Sequence, residues 1–355
     1  MHRQPAGGPI RGWPGEDSLL GTPPVAAGVL PTGQTACFDA AGRPVPCPGS
    51  GQDAAFAPPD PYGPGRFQAA APGLVKDQAT GLLWPRDAGL AGFPRPWGEA
   101  LELVAASARD GLFGRYDWRL PNRRELRSLI SYAAARPALP PGHPFQNVFT
   151  GWYWSSTTAA VAAAYAWYVY LEGGRMFYGK KDQDCLIWPV AGVSDMPATG
   201  QERCFDGQGR EIACAGTGQD GELRSGRPWP TPRFELQGDG VLDRLTGLVW
   251  AARADAANGL THWEQALAVC ASLGHGRWRL PNINELESLV DAGQSRPALP
   301  AGHPFAAVGE AYWSSTTSAF ETNWAHALYL HKGAVGVGFK SAREFLVWPV
   351  RGPLP

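Results

Sequence analysis

Apolar side chains between residues 97 and 108 fall on helical spacing: Trp97, Leu101 and Val104 share one face at i, i+4 and i+7. The pattern returns at Trp263, Leu267 and Cys270. A second helix is expected after Asn122, a good N-cap, with Glu125 placed three residues on to complete a reciprocal capping arrangement; Asn282 and Glu285 repeat it. Leu126, Leu129 and Ile130, matched by Leu286, Leu289 and Val290, supply its buried stripe. Beyond these helices the period shortens. Residues 153–157 are strand-prone, and residues 165–171 and 324–330 alternate large apolar side chains with small or polar ones. Gly173-Gly174 and Lys332-Gly333 are expected to close hairpins, and a last strand ends in Leu-x-Trp-Pro-Val at 186–190 and 346–350. With short strands at Phe67 and Phe234 ahead of the helices, the order is strands, two helices, then an antiparallel meander. That order predicts an α+β fold.

Everything in this pattern occurs twice. WRLPN stands at 118–122 and 278–282, YWSSTT at 153–158 and 312–317, and RPALP-x-GHPF at 136–145 and 296–305. TGQ-x-x-CFD-x-x-G begins at Thr32 and Thr199, and TGL-x-W ends at Trp84 and Trp250. The offset runs from 167 down to about 160 residues, the length of a whole domain and far beyond a solenoid unit. The expected organisation is a flexible Pro/Gly-rich arm over 1–31, a first module over 32–193 and a second over 199–352.

Composition narrows the classes. A formal net charge of −1 gives no global pull toward nucleic acid. No segment approaches 18 apolar residues, so no membrane-spanning helix is expected. Of the fifteen tryptophans, ten form the matched pairs Trp84/Trp250, Trp97/Trp263, Trp118/Trp278, Trp154/Trp313 and Trp188/Trp348, which reads chiefly as core. Cys37 and Cys47 lie ten residues apart, as do Cys204 and Cys214, a spacing suited to a disulfide across a hairpin and to an oxidising compartment. Cys185 and Cys270 lack counterparts; they either bridge the modules or stay as buried thiols. The chain is expected to be extracellular, at the cell surface or periplasmic. Residues 1–31 show no apolar run like a signal peptide's, so export is expected through a leader missing from this chain or by another route.

Candidate chemistry is sparse. No nucleophile elbow, phosphate loop, dinucleotide fingerprint or His-Glu zinc helix is present, so no catalytic residue and no cofactor or metal is expected. Ser155-Ser156-Thr157 and Ser314-Ser315-Thr316 read as hydroxyls that satisfy buried strand ends, and Glu125 and Glu285 as caps. His143 and His303, each alone before a proline, read as loop packing. Gly238-Asp239-Gly240 reads as a turn. Binding is better supported. Trp152, Tyr153, Tyr165, Trp167, Tyr168, Tyr170 and Tyr178 are candidates to stack on sugar rings or meet a protein. Arg119, Arg123, Arg124 and Arg127 form a cluster suited to bidentate anion contacts or, more plainly, a solvated helix face. Ile283, Asn284 and Glu287 stand at the last three positions in the second copy, so any anion site belongs to the first.

TGQ-x-x-CFD, TGL-x-W, WRLPN-x-x-EL, PALP-x-GHPF and YWSSTT together resemble the C-terminal domain family of the Legionella collagen-like protein, over 32–193 and 199–352. WRLPN before a capped helix and the Trp-rich β ending also resemble the wider C-type-lectin-like fold. The resemblance implies two tandem C-type-lectin-like modules in a bacterial, exported, non-enzymatic adhesion or recognition protein that binds glycans, sulfated polysaccharide being the namesake's activity. It also implies a cysteine pair between first helix and last strand. Here Cys270 matches one partner while Pro349 takes the other place, and Val104 and Pro189 stand in the first copy. The calcium-binding motifs of true C-type lectins are missing. The expected partner is a glycan or a surface protein; the alternative role is a structural or assembly component of the envelope that grips protein through Trp-rich surfaces.

Overall fold

The computed structural model describes residues 28–56, 63–276 and 278–352. Residues 1–27 of the expected arm lie outside the described residues, whereas Val29 is already buried in the core. The first repeat runs β1 (Cys37–Phe38), β2 (Pro44–Val45), α1 (Asp53–Phe56), β3 (Phe67–Ala71), β4 (Leu74–Asp77), β5 (Leu83–Pro85), α2 (Trp97–Arg109), α3 (Arg123–Arg127), β6 (Trp152–Thr158), β7 (Tyr165–Tyr170) and β8 (Met176–Lys180). The second runs β9 (Cys204–Phe205), β10 (Glu211–Ile212), α4 (Asp220–Leu223), β11 (Phe234–Gln237), β12 (Gly240–Asp243), β13 (Val249–Ala251), α5 (Trp263–Ser272), α6 (Ile283–Ser288), β14 (Tyr312–Thr317), β15 (Trp324–Tyr329), β16 (Ala334–Phe339) and β17 (Val350–Arg351). The fold is mixed α+β with antiparallel sheets.

The repeated words act as joints. The Asn122 side chain accepts the Arg124 and Glu125 amides, while Glu125 takes the Asn122 amide at 2.9 Å; Asn282 and Glu285 build the same reciprocal cap. Each capping glutamate also pairs with an arginine of its WRLPN word, Arg119 or Arg279. Arg119 and Val190 exchange backbone hydrogen bonds at 2.9 Å, and Arg279 and Val350 repeat the exchange, tying WRLPN to the Leu-x-Trp-Pro-Val word. That word forms isolated bridges at Leu186 and Val190 in the first repeat and enters a strand only at Val350 in the second, rather than the full last strand expected. A bulge in β6 and β14 lifts the Ser-Ser-Thr segments off the ladder, so that the Ser156 and Ser315 amides reach Pro121 and Pro281. The Ser155 and Ser314 hydroxyls donate to the Trp167 and His326 carbonyls at 2.9 and 2.7 Å. All ten repeat-matched tryptophans are buried, and Trp84–Trp188 and Trp250–Trp348 make the same edge-on contact at 5.6 and 5.5 Å.

Two features join the repeats. First, β8 pairs antiparallel with β16 through Met176 and Val335, which occupy equivalent positions, so the two meanders fuse into one six-stranded sheet in the order β14-β15-β16-β8-β7-β6. Second, the cysteine hairpins are exchanged. The β1–β2 hairpin and α1 pack on the second repeat: Asp53 accepts from Thr316 at 2.7 Å, and Lys340 donates to the Phe38 carbonyl at 3.1 Å. The β9–β10 hairpin and α4 pack on the first: Asp220 accepts from Thr157 at 2.6 Å, and Lys181 donates to the Phe205 carbonyl at 3.0 Å. Residues 28–34 cross between the bodies, with Gln34 donating to both the Tyr132 and Thr317 carbonyls. One apolar core accordingly holds Leu126, Leu129 and Ile130 together with Leu286, Leu289 and Val290.

Both hairpins carry their disulfide, Cys37–Cys47 and Cys204–Cys214. Cys185 and Cys270 are free and buried in separate satellite cores, so the bridge between modules does not form; burial pushes both thiols up to about 12.

Candidate ligand-binding site

Side chains along β7 alternate in role. Trp167 and Val169 enter the central core with α3, while Ala166 and Tyr168 pack on the opposite face with α2. Tyr170 follows Tyr168 on that second face. Trp152 of β6 lies against both, 4.3 Å from the Tyr170 ring at an interplanar angle of 18° and 4.3 Å from the Tyr168 ring. Phe177 of β8 stands 6.5 Å from Trp152, and Tyr329 of β15 stands 6.3 Å from Phe177. Trp152, Tyr168, Tyr170, Phe177 and Tyr329 thus form a half-buried aromatic strip that crosses the seam between repeats. From β6 to β15 it covers four strand spacings, about 19 Å.

Glycine makes the strip flat. A Cβ on Gly336 of β16 would come within 2.6 Å of the Tyr329 ring and 3.1 Å of the Phe177 ring, and one on Gly179 within 2.5 Å of the Tyr168 ring. The Tyr168, Phe177 and Tyr329 rings therefore lie directly on strand backbone, beside the stacked pair of Trp152 and Tyr170. Cations flank them: Lys332 Nζ is 5.1 Å from the Tyr329 ring and 5.6 Å from Phe177, and the Arg175 guanidinium is 5.1 Å from Tyr170. The Tyr170 hydroxyl donates to Glu172 at 2.5 Å, and Arg136 donates to the same carboxylate at 2.6 Å. The Tyr170 contact, then Arg136, holds the Glu172 carboxyl below its usual range, and the same hydrogen bond raises the Tyr170 phenol.

The candidates named from sequence part company here. Trp152, Tyr168 and Tyr170 lie in the strip; Tyr153 and Trp167 are buried in the core. Tyr165 is half-buried on the other face of β7, edge-on to Tyr178 at 5.8 Å. The basic cluster needs correction, both as an anion site and as a solvated helix face. Arg123, Arg124 and Arg127 are 1%, 3% and 7% exposed, because the second repeat covers them. Glu287 meets all three at 3.3–3.6 Å. Arg123 also stacks on Trp167 at 4.0 Å and donates to the Gly333 carbonyl. Arg124 donates to the Val290 carbonyl at 2.7 Å, and Arg127 to Asn284 at 2.7 Å. Arg119 is half-buried, paired to Glu125 and donating to Ser225 at 3.0 Å. Burial lowers the Arg123 guanidinium to about 10.

Phe177, Tyr329 and Lys332 were missed. Tyr329 is the repeat counterpart of Tyr170, and that equivalence was the available signal; Phe177 matches Gly336 and gave none.

The Lcl C-terminal domain model matches residues 73–191 and 239–351, together more than half of the chain. The chain belongs to this family. Each Lcl C-terminal domain match spans the body of a repeat and leaves the exchanged cysteine hairpins outside it. The aromatic strip falls within the two matched domains and draws on both. No curated protein and no solved structure matches the chain.

Proposed function

We propose that this is a non-enzymatic, exported recognition or adhesion protein that binds glycans on the strip formed by Trp152, Tyr168, Tyr170, Phe177 and Tyr329, with sulfated polysaccharide among the candidate ligands. The observation that carries the reading is a row of five half-buried rings, three of them over glycine backbone and two stacked on each other, edged by Lys332 and Arg175. Sugar rings present apolar faces to such a surface and hydroxyl or sulfate groups to its rim. We read each repeat as C-type-lectin-like from its two helices, its antiparallel meander and the Trp-rich ending. The two disulfides and the family support a place outside the cytoplasm.

Glycan-array binding of the oxidised protein, at low and physiological salt, is the test. Trp152→Ala or Tyr170→Ala should weaken binding about five- to thirtyfold, on the scale of a lost stacking contact of roughly 1–2 kcal/mol. Unchanged affinity in both variants removes the strip from the reading. A second reading, an envelope component that grips a protein, draws on three exposed apolar side chains of the first repeat that the second lacks. Leu90, Phe93 and Phe149 are 41%, 79% and 54% exposed, and Ala256, Gly259 and Gly309 replace them in the second repeat. A blank array with salt-insensitive binding to an envelope protein favours that reading.

A further inference from the structure

One groove is treated differently by the two repeats. In the second, Glu264 in the first turn of α5 reaches the exchanged β1–β2 hairpin and accepts the Ala40 amide at 3.0 Å. In the first repeat Gly98 stands at the position of Glu264, and Gly207 at that of Ala40. The Gly207 amide has no partner among the described residues. Between α2 and the β9–β10 hairpin lies a groove of about 480 Å3, whose lining includes Gly98, Leu101, Glu102, Arg109, Lys181, Gly207 and Asp206, the last of these already paired with Arg210. Gly98 is exposed, and a Cβ there would meet nothing within 4 Å.

The lysine's surroundings are the same in both repeats, although Glu99 and Glu102 of α2 stand where α5 has Gln265 and Ala268. Lys181 Nζ sits 4.1 Å over the Trp97 ring and donates to the Phe205 and Asp206 carbonyls; Lys340 sits 4.0 Å over Trp263 and donates to the Phe38 and Asp39 carbonyls. Burial lowers both amines to about 7. Asp39 and Glu264 oppose this at Lys340, whereas Asp206 alone opposes it at Lys181. The first repeat thus keeps the amide and the ammonium that face a carboxylate in the second, but not the carboxylate.

We propose that the groove beside α2 binds an acidic peptide segment, one carboxylate of which occupies the place that Glu264 occupies in the second repeat. That carboxylate accepts the Gly207 amide and faces Lys181, its stem lies along Leu101, and Arg109 at the end of α2 is free to meet a second acidic side chain. The second repeat already shows the preferred occupant: a carboxylate on the two-methylene stem of a glutamate.

The test uses full-length protein labelled with 15N-glycine, the Gly207 signal being assigned by its loss in Gly207→Ala. Titration with N-acetyl-Glu-Ala-Glu-amide should shift the Gly207 and Gly98 signals saturably, at least tenfold more tightly than the Gln-Ala-Gln peptide. Gly98→Glu should move the Gly207 signal without peptide and abolish the response, the other glycine signals reporting an intact fold. If that variant fails to fold, the Glu and Gln peptides on the unaltered protein decide. An unmoved Gly207 signal at millimolar peptide, equal response to the Gln peptide, or tighter binding of glucuronate than of peptide overturns the assignment.

Discussion

Glu287 and Arg127 occupy the same position in the two repeats, and they meet across the seam at 3.5 Å. Two copies of either residue facing one another there would bury like charges. The difference between repeats therefore makes the contact attractive, and it specifies first repeat against second. Glu287 also serves Arg123 and Arg124, so its removal leaves buried guanidinium charge uncompensated. Glu287→Ala is expected to destabilise the protein by about 3–5 kcal/mol, read as a lower denaturation midpoint in urea; a change below about 1 kcal/mol rejects this account. In sequence the arginine cluster reads as an anion site or a solvated helix face, not as a buried joint. Its burial depends on a surface more than 150 residues away, which no local pattern announces.

The exchanged hairpins are held by few polar groups, and those groups carry a pH signature. Burial pushes the Asp53 and Asp220 carboxyls up to about 6, against the hydroxyls of Thr316 and of Thr157 and Thr199. Each binds its proton more tightly folded than unfolded, so between about pH 4 and 6 they lower stability as pH rises. His326 works in the opposite sense: buried and held neutral to about pH 3, it lowers stability as pH falls below about 6.5. His143 and His303, also lowered by burial, act in the same sense as His326, so the contribution of the two aspartates is read as a difference between variant and parent. Asp53→Asn with Asp220→Asn removes that contribution, so the stability of the variant relative to the parent is expected to increase from pH 4 to 6, measured by urea unfolding at successive pH values. Lys181 and Lys340, at about 7 when folded, bind fewer protons than the unfolded chain between pH 7 and 10.5. Their contribution to stability rises with pH across that window. The hairpins and their disulfides were legible from the cysteine spacing; their exchange was not, because the groups that receive a hairpin, Thr157 and Lys181 or Thr316 and Lys340, are the same residue types in both repeats.

At the scale of the molecule, the fused sheet, the shared core and the crossed hairpins make two repeats one cooperative structure. A single calorimetric transition is expected, with calorimetric and van't Hoff enthalpies in agreement. Two resolved transitions, one per repeat, would show that the seam contributes little. The strip belongs to this scale too: Phe177 and Tyr329 come from different repeats, and Gly336 beneath them lets both rings lie down.

What the sequence determined by itself was whatever depends on near neighbours: the helical stripe at Trp97, the reciprocal caps at Asn122 and Asn282, the buried tryptophan pairs and the doubling of the module. Capping and periodicity are set within a few residues, and an indole at the same position of both repeats packs into the core of each. What only the tertiary structure decided was which surfaces remain open. Pairing Met176 with Val335 turned two meanders into one aromatic face, and the same docking took Arg123, Arg124 and Arg127 away from solvent. Association of faces distant in sequence depends on shape and charge summed over whole repeats, and no short window of sequence contains that sum.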